Sequence, residues 1–286
     1  MNILQKKSLY DNKIAFIGAG NMASCILGGL VKQGFPANNI YVSAPDQPQL
    51  DALEKKYQVR TSADNAACAG DADILVLAVK PQILSKVCLR LSEHLSPGTL
   101  VISVAAGIDC ESISGWLNDH QAIVRCMPNT PALVQEGASG LFATDAVSET
   151  QRQNAAAIMA SVGKVCWIED EQLMHPITAL SGSGPAYFFL FIESMIETAV
   201  KQGLDPIMAR TLAIQTALGA ATLAGQSDVD VAELRRRVTS PNGTTEQAIA
   251  TFEAKQLRGT VEAAMEACSK RSQELALEAK AVTAPK

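Results

Sequence analysis

The sequence predicts a two-domain protein, in which an N-terminal α/β domain with a mostly parallel sheet is followed by an all-helical domain. Three observations support this prediction. A buried strand leads through a glycine-rich turn into a helix near the start of the chain, apolar strands then alternate with helices, and beyond about residue 171 only helical periodicity remains. We therefore place the α/β domain at 13–171 and the helical domain at 172–286, with residues 1–12 as an N-terminal extension.

The first predicted strand, 13–17, runs into a turn containing two glycines, and apolar residues then recur at helical spacing until Gly34. Gly18 permits the sharp turn, Gly20 lets a pyrophosphate approach the backbone, and the small Ala23 allows helix and strand to pack closely. This pattern is typical of Rossmann-type NAD(P)-binding domains, although a glycine turn that binds nothing is the competing interpretation. We predict cofactor contacts at Gly18, Ala19, Gly20, Asn21, Met22 and Ala23.

Further strands are predicted at 40–43, 72–79, 100–104 and 122–126. Ligands of an open parallel sheet bind outside the carboxyl ends of the strands. Ser43 occupies a strand end where an NAD-specific site normally has an acidic residue, which favours NADP, while Asp46 keeps NADH as an alternative. Asn65 could add a polar contact there. The other predicted cofactor residues follow strand ends: Ala78, Val79, Lys80, Pro81, Ala105, Ala106, Gly107 and Asn129.

Two shorter strands, 137–143 and 163–168, flank a helix at 148–160 and complete the predicted sheet. The rest of the chain predicts helices, at 186–202, 206–223, 231–238, 245–256 and 260–277. We expect the first of these to be mostly buried, and Thr244 and Gln247 have the spacing of a capping box. Helical faces this apolar are more typical of an obligate dimer than of a free-standing domain.

Composition narrows the function classes. The 286 residues carry a formal net charge of −5, and the cationic run 235–237 is too short to follow a nucleic-acid backbone. Seven cysteines without a Cys-x-x-Cys pair and three isolated histidines predict a reduced, cytoplasmic protein without a metal site. The apolar stretch 186–192 falls short of the ~18 residues that a membrane span needs, so we expect no membrane partner. Residues 1–7 lack the apolar core of a signal peptide, so we expect no export.

The segment 234–245 joins two predicted helices and is rich in hydroxyl side chains around Pro241 and Gly243. The helix that follows has unpaired N–H groups in its first turn, and such a corner binds carboxylates. Ordinary capping by threonine and serine is the competing interpretation. We name residues 238–245 the threonine corner.

Six motifs occur in order along the chain, at 18–23, 78–81, 105–107, 127–131, 181–187 and 240–245. Together they closely resemble the Δ1-pyrroline-5-carboxylate reductase family, over about residues 13–276. The dinucleotide turn is shared by many dehydrogenases, whereas the last two motifs are much narrower. The resemblance implies reduction of the C=N bond of L-Δ1-pyrroline-5-carboxylate to L-proline, with NADPH as the cofactor or NADH as the alternative.

The resemblance also implies partners and roles. Its helical domain would form a homodimer by interleaving helices, and higher assemblies of dimers occur in the family. The backbone at 243–245 would hold the substrate carboxylate, while the Thr245 hydroxyl, from the partner's helices, would approach the ring nitrogen as the catalytic group. Substrate contacts are implied at Ser181, Asp228, Val238, Thr239, Ser240, Gly243, Thr244 and Thr245.

Three positions depart from the family pattern. Asn242 replaces the usual first glycine of the last motif, Asp228 lies where a glutamate is frequent near the substrate amine, and Ala44 lies where some members have a serine for the 2′-phosphate. None of the three removes a reacting group, but they leave substrate affinity and NADP preference open.

Two other functions are compatible with parts of the pattern. A related reductase would act on another cyclic imine or on a 3-hydroxy acid, but hydroxy-acid members use a lysine after the domain boundary, where this chain offers only Lys201 near a helix end. A non-catalytic cofactor sensor would be expected to lose the polar groups at Ser181, Thr239, Ser240 and Thr245, which are present. The reductase of the imino acid is therefore favoured.

Overall fold

The computed structural model describes residues 9–283, with side chains described up to residue 280. The predicted N-terminal extension thus lies mostly outside the described residues. The chain forms two compact units: the first runs to Ser183 and takes in the chain again from Cys268, and the second is Gly184–Ala267. The domain limits 13–171 and 172–286 stay predictions, because a compact unit is not the same thing as a functional domain.

The first unit is built on one mixed sheet. Among the described residues it contains eight strands in the order β3-β2-β1-β4-β5-β6-β7-β8. Strands β1 to β6 are parallel, β7 is antiparallel to β6, and β8 is parallel to β7. The strands are β1 (Ile14–Ile17), β2 (Ile40–Ser43), β3 (Arg60–Ser62), β4 (Ile74–Leu77), β5 (Leu100–Ser103), β6 (Ile123–Met127), β7 (Gly137–Ala143) and β8 (Gly163–Trp167). The predicted α/β class with a mostly parallel sheet is confirmed.

Helices connect the strands of the first unit: α1 (Asn21–Lys32), α2 (Gln47–Tyr57), α3 (Asn65–Ala69), α4 (Pro81–Leu91), α5 (Cys110–Trp116), α6 (Glu149–Ala160) and α7 (Met174–Ile177). A 3-10 turn at Thr130–Val134 lies between β6 and β7, and a π-helical turn at Thr178–Gly182 directly continues α7. The sequence analysis predicted neither β3 nor the helices α2, α3, α4, α5 and α7. Four of these elements are only three to seven residues long, and α2 has few buried side chains, so their periodicity is weak. Helix α4 is the exception, because Leu84, Cys88 and Leu91 give it a buried face at helical spacing.

Each face of the sheet covers its own apolar core. On β1 the side chains of Ile14 and Phe16 pack into one cluster, and those of Ala15 and Ile17 pack into the other. Successive strand residues point to opposite faces, so a strand covered on both sides must be apolar throughout. All four residues of β1 are fully buried, which explains the continuous apolar run seen in the sequence.

The second unit is helical. Its helices are α8 (Gly184–Lys201), α9 (Pro206–Gln226), α10 (Val231–Arg237), α11 (Thr244–Ala254) and the beginning of α12 (Leu257–Thr283), which ends in the first unit. The prediction that 186–202 is mostly buried is wrong for the single chain, because Gly184 is the buried residue of α8 and Phe188 is 69% exposed. The described residues of one chain leave this apolar surface uncovered, and exposed apolar surfaces of this size mark interaction sites.

Helix α9 shares this exposed apolar character. Among the described residues it is the helix whose length and composition would also suit a membrane span, and only 11% of its most apolar window is buried. The helix itself was predicted, at 206–223, but the sequence prediction considered only 186–192 as a possible membrane span. Ile207 at its start is 78% exposed.

Candidate cofactor and substrate site

The glycine turn after β1 has the geometry of a phosphate cradle. Gly18 has a φ of +105°, and a Cβ at that position would lie 2.7 Å from the carbonyl oxygen of Ala78. Backbone hydrogen bonds join the end of β1 to the ends of both neighbouring strands. Gly18 N–H donates to Ser43 O at the end of β2, and Ala78 N–H, just after β4, donates to Ile17 O. Only glycine fits this position without moving the loop after β4.

Helix α1 presents its N-terminus at this turn. Gly20 is the N-cap and no side chain caps the helix, so the backbone N–H groups of its first turn remain available to a ligand. A Cβ at Gly20 would have no heavy atom within 4 Å. Ala23 is fully buried where the helix passes the sheet. Asn21 is exposed and Met22 is partly buried.

The structure brings the two polar residues predicted near the cofactor ribose together. Ser43 is fully buried at the end of β2, and its hydroxyl donates to Asn65 Oδ1 at 2.7 Å. Ala44 is also buried, while Asp46 is exposed at the start of α2 and makes no capping bond with its side chain. The strand end itself therefore carries a neutral hydroxyl–amide pair.

The loops after β4 and β5 lie at the same edge of the sheet. β4 and β5 are parallel neighbours, and Val104 N–H donates to Leu77 O. Lys80 is an exposed N-cap of α4, followed by Pro81 in the first turn. In the second loop Ala105 and Gly107 are buried, Gly107 has a φ of +76°, and Ala106 is exposed, so Ala106 is the part of this loop that a ligand can reach.

Asn129 joins two segments that are far apart in sequence. It is buried, its Nδ2 donates to Ser181 O at 2.9 Å, and its Oδ1 accepts from Ala138 N–H at 2.9 Å. The Ser181 hydroxyl donates to Ile177 O. Both polar atoms of the Asn129 amide thus bond to protein and fix the π-helical turn, while its predicted cofactor contact stays a prediction.

The threonine corner lies in the second unit, between α10 and α11. Thr244 is the first residue of α11 and Gly243 is its N-cap, with no side-chain cap. The predicted capping box of Thr244 and Gln247 is wrong, because the helix begins one residue earlier than expected and Glu246 instead accepts the Asn242 N–H. The first-turn N–H groups of α11 are thus left for a ligand.

Two backbone features shape this corner. Asn242 has a φ of +59°, and a Cβ at Gly243 would lie 2.9 Å from Ser240 O. Glycine adopts a positive φ freely and asparagine tolerates it better than most residues. The departure at Asn242 therefore preserves the backbone that a glycine would adopt.

The remaining predicted substrate residues are distributed around the corner. Val238 and Ser240 are exposed, and the Thr239 hydroxyl donates to Arg235 O. Thr244 and Thr245 are exposed at the helix start, and Asp228 is exposed between α9 and α10. Ser181 differs from all of these in belonging to the first unit.

Each arginine of the adjacent run 235–237 lies near an acidic side chain. Arg236 and Arg237 form ion pairs with Glu233 at 2.7 and 3.1 Å, and Arg235 lies 3.6 Å from Glu253. These pairs are partly exposed and contribute little to stability. The run is thus a surface feature of the helical unit rather than a free cationic patch.

A buried polar cluster in the first unit has no signal in the sequence pattern. Arg125 on β6 donates to Glu171 Oε1 at 2.9 Å, and the same oxygen accepts Cys110 N–H. Nearby, His175 Nδ1 lies 2.9 Å from Ser272 Oγ. Burial lowers the pKa of His175, and the positive charge of Arg125 lowers it further. The imidazole is therefore kept neutral.

The cysteines are all free, and burial raises the pKa of Cys68, Cys88 and Cys126 to about 12. Within the described part of the chain no group of three or more metal-ligating side chains comes together. Neither thiolate chemistry at these positions nor a metal centre is indicated by the geometry of the described residues.

Comparisons with known proteins cover both halves of the chain. The family described as Pyrroline-5-carboxylate reductase dimerisation matches residues 171–275, and NADP oxidoreductase coenzyme F420-dependent matches residues 13–107. A pyrroline-5-carboxylate reductase of Pseudomonas aeruginosa is 49% identical, over 92% of this chain and 97% of its own length. That of Escherichia coli is 35% identical, over 93% and 98%.

Solved structures agree with these sequence matches. A pyrroline-5-carboxylate reductase from Coxiella burnetii has a TM-score of 0.89 and 44% identity, covering 92% of this chain and 98% of its own. A pyrroline carboxylate reductase of Plasmodium falciparum with NADP bound has a TM-score of 0.82 and 31% identity, covering 93% and 98%.

Proposed function

The chain belongs to the pyrroline-5-carboxylate reductase family, and from this membership we propose how its two units share the family's reaction. The enzyme is an NAD(P)H-dependent oxidoreductase of proline biosynthesis, and it reduces the C=N bond of L-Δ1-pyrroline-5-carboxylate to give L-proline. We assign the cofactor to the first unit and the substrate to the second because each has a helix N-terminus without a side-chain cap. These are the N-terminus of α1 at the glycine turn and that of α11 in the threonine corner.

The first unit would hold the cofactor. The pyrophosphate would lie on the N–H groups of α1, because Gly18 brings the turn close to the sheet and Gly20 leaves open space beside it. The loops at 78–81 and 105–107 would hold the nicotinamide half. When bound, the reduced nicotinamide supplies a hydride.

NADPH is the proposed cofactor of preference. An NAD-specific site places a carboxylate at the end of the second strand, to bind the ribose hydroxyls. Here that position is Ser43, whose buried hydroxyl is paired with Asn65, so no charge there would repel a 2′-phosphate. The exposed Asp46 is the residue that keeps NADH as the alternative.

The second unit would hold the substrate. The N–H groups of Thr244 and Thr245, at the start of α11, would bind the substrate carboxylate beside Gly243, whose own N–H donates to Ser240 O, and the Thr245 hydroxyl would donate to the ring nitrogen. A cyclic imine that is protonated near neutral pH is already an electrophile. Its reduction needs orientation and a hydrogen-bond donor more than a strong general acid.

Dimerisation would complete the site. The exposed apolar faces of α8 and α9 belong to the segment that matches the dimerisation family. A second copy of the chain would cover these faces, so no membrane is required to cover them. We propose that Thr245 of the partner subunit serves the cofactor of the first. Assembly of dimers into larger oligomers and a cytoplasmic location complete the proposal.

Turnover with defined substrates tests this function. The oxidation of NADPH and of NADH would be followed by absorbance with pyrroline-5-carboxylate and with piperideine carboxylates, and the reduction of NADP+ and of NAD+ would be followed with a 3-hydroxy acid. We expect proline to form with pyrroline-5-carboxylate and NADPH to be preferred over NADH. Turnover of the hydroxy acid alone would favour the related reductase, and cofactor binding without any turnover would favour the sensor.

A further inference from the structure

The last helix returns to the nucleotide-binding unit. We name residues 268–280 of α12 the C-terminal strap. Its first contacts are with the segment that carries Ser181: Cys268 Sγ lies 3.2 Å from Ser183 Oγ, and Ser272 Oγ lies 2.9 Å from the buried His175. These contacts attach the strap to the first unit through side chains close to the π-helical turn.

The end of the strap contacts the loop after β5. A Cβ at Gly107 would lie 3.6 Å from Leu275 Cβ, so the helix passes directly over this loop. Ala279 packs against the apolar cluster that contains Ala105 and Ile108. A cavity of about 470 Å³ remains beside these contacts, with Trp116 in its lining. The loop is therefore covered by the strap but not tightly packed beneath it.

Lys280 fastens this end of the strap. Its Nζ lies 2.6 Å from Asp109 Oδ2 and 3.0 Å from Glu111 Oε2. Asp109 is only partly exposed and also caps α5, accepting the Ser112 N–H at 2.9 Å. Burial alone would raise the pKa of Asp109, but hydrogen bonds from Lys280 and Ser112 lower it overall. The aspartate stays ionised and holds both the helix start and the strap.

Lys280 lies outside the segment that matches the dimerisation family. The match to the dimerisation family ends at residue 275, so Ala279 and Lys280 lie beyond it. We infer that Lys280, at the end of the C-terminal strap, is a positioning residue that holds the loop at 105–107 in place through Asp109. The inference rests on the proposed function, in which that loop lies against the nicotinamide.

The strap acts on orientation rather than on affinity. The pyrophosphate cradle at Gly18 and Gly20 lies on a different loop and retains its geometry when the strap is released. A looser loop at 105–107 would leave the nicotinamide bound but less well oriented, and orientation affects the chemical step. Because the Lys280 pairs are partly exposed, the effect on turnover should be about threefold to fivefold.

Hydrogen exchange tests the inference without reference to catalysis. We compare Lys280→Ala, Lys280→Arg and the control Lys270→Ala, an exposed lysine on the same helix that makes no ion pair with any described residue. Lys280→Ala should speed amide exchange in a peptide spanning 104–117 by about threefold to fivefold. Lys280→Arg should restore slow exchange, and Lys270→Ala should leave it unchanged.

Two outcomes would overturn the inference. One is unchanged exchange at 104–117 in Lys280→Ala, and the other is an increase spread evenly over the sheet, which would make Lys280 a general stabiliser. Kinetics complete the test: in Lys280→Ala the kcat should fall about threefold to fivefold while the Kd for NADPH changes less than about twofold. If the natural sequence itself fails to reduce the imine, the proposed function fails, whereas the exchange result still decides the role of the strap.

Discussion

Gly18 and Gly20 lie two residues apart in the same turn, yet the structure predicts that replacing them with alanine affects stability differently. At Gly18 the φ of +105° is unfavourable for alanine, and the new Cβ would lie 2.7 Å from a backbone oxygen. The strained backbone costs roughly 1–3 kcal/mol, and moving the loop after β4 adds to it, for a total of about 2–4 kcal/mol. At about 2–4 °C per kcal/mol, Gly18→Ala should lower the Tm by roughly 4–16 °C.

At Gly20 the new Cβ would meet no heavy atom within 4 Å, so Gly20→Ala should fold normally, apart from a capping cost of about 1 kcal/mol or less. The open space is where the pyrophosphate would approach the backbone. The methyl group should therefore raise the Kd for NADPH about tenfold or more.

Calorimetry for the Tm and fluorescence titration for NADPH binding separate the two effects. Gly18→Ala should lose stability as well as affinity, whereas Gly20→Ala should lose affinity alone. Wild-type affinity in Gly20→Ala would refute the assignment of this turn as the pyrophosphate site, and equal losses of Tm in the two variants would refute the geometry.

Three further predictions concern the rest of the chain. Thr245→Ala should lower kcat/KM for the imine tenfold or more while Thr245→Ser retains most of it; near-normal turnover of the alanine variant would remove the catalytic role. Because the lowered pKa of His175 makes the unfolded chain take up more protons, stability should fall as pH drops below about 6.5, and His175→Gln should flatten the Tm–pH curve between pH 7 and 5. In a thiol titration of the native protein, the exposed Cys166 should react first, and Cys68, Cys88 and Cys126, whose pKa burial raises to about 12, should react only on unfolding.

The elements nearest the cofactor could be predicted because they carry strong local signals. The fully buried β1, the glycines that follow it and the apolar face of α1 all lie within one short segment, and the strand at Gly137–Ala143 was predicted with its observed limits. The three-residue β3 and the seven-residue α5 carry too few periodic positions to stand out.

Burial in the helical unit could not be predicted from one chain. Apolar periodicity predicts that a face will be covered, but it does not say whether the cover comes from the same chain or from a second copy. Helix α9 shows this ambiguity most clearly, since the same composition suits a dimer core and a membrane span. The match to a dimerisation family favours the first of these.

Side-chain contacts between residues far apart in the sequence could not be predicted either. The bond between Asn129 and Ser181 joins residues 52 positions apart, and that between His175 and Ser272 joins residues 97 apart. Neither pair has a spacing that distinguishes it from unrelated polar residues. The sequence could indicate that Asn129 is a functional polar group, but not that its amide holds the turn that carries Ser181.

Hybrid dimers test the central claim most directly, namely that the cofactor cradle of one subunit works with the threonine corner of its partner. Two differently tagged chains, Gly20→Glu and Thr245→Ala, would be co-expressed, and the doubly tagged dimer purified and assayed beside each homodimer. One of the two sites in the hybrid would then combine an intact cradle with an intact corner, so the account predicts about half of the wild-type turnover per dimer, against about a tenth or less in both homodimers. A hybrid as inactive as its parents would contradict the claim.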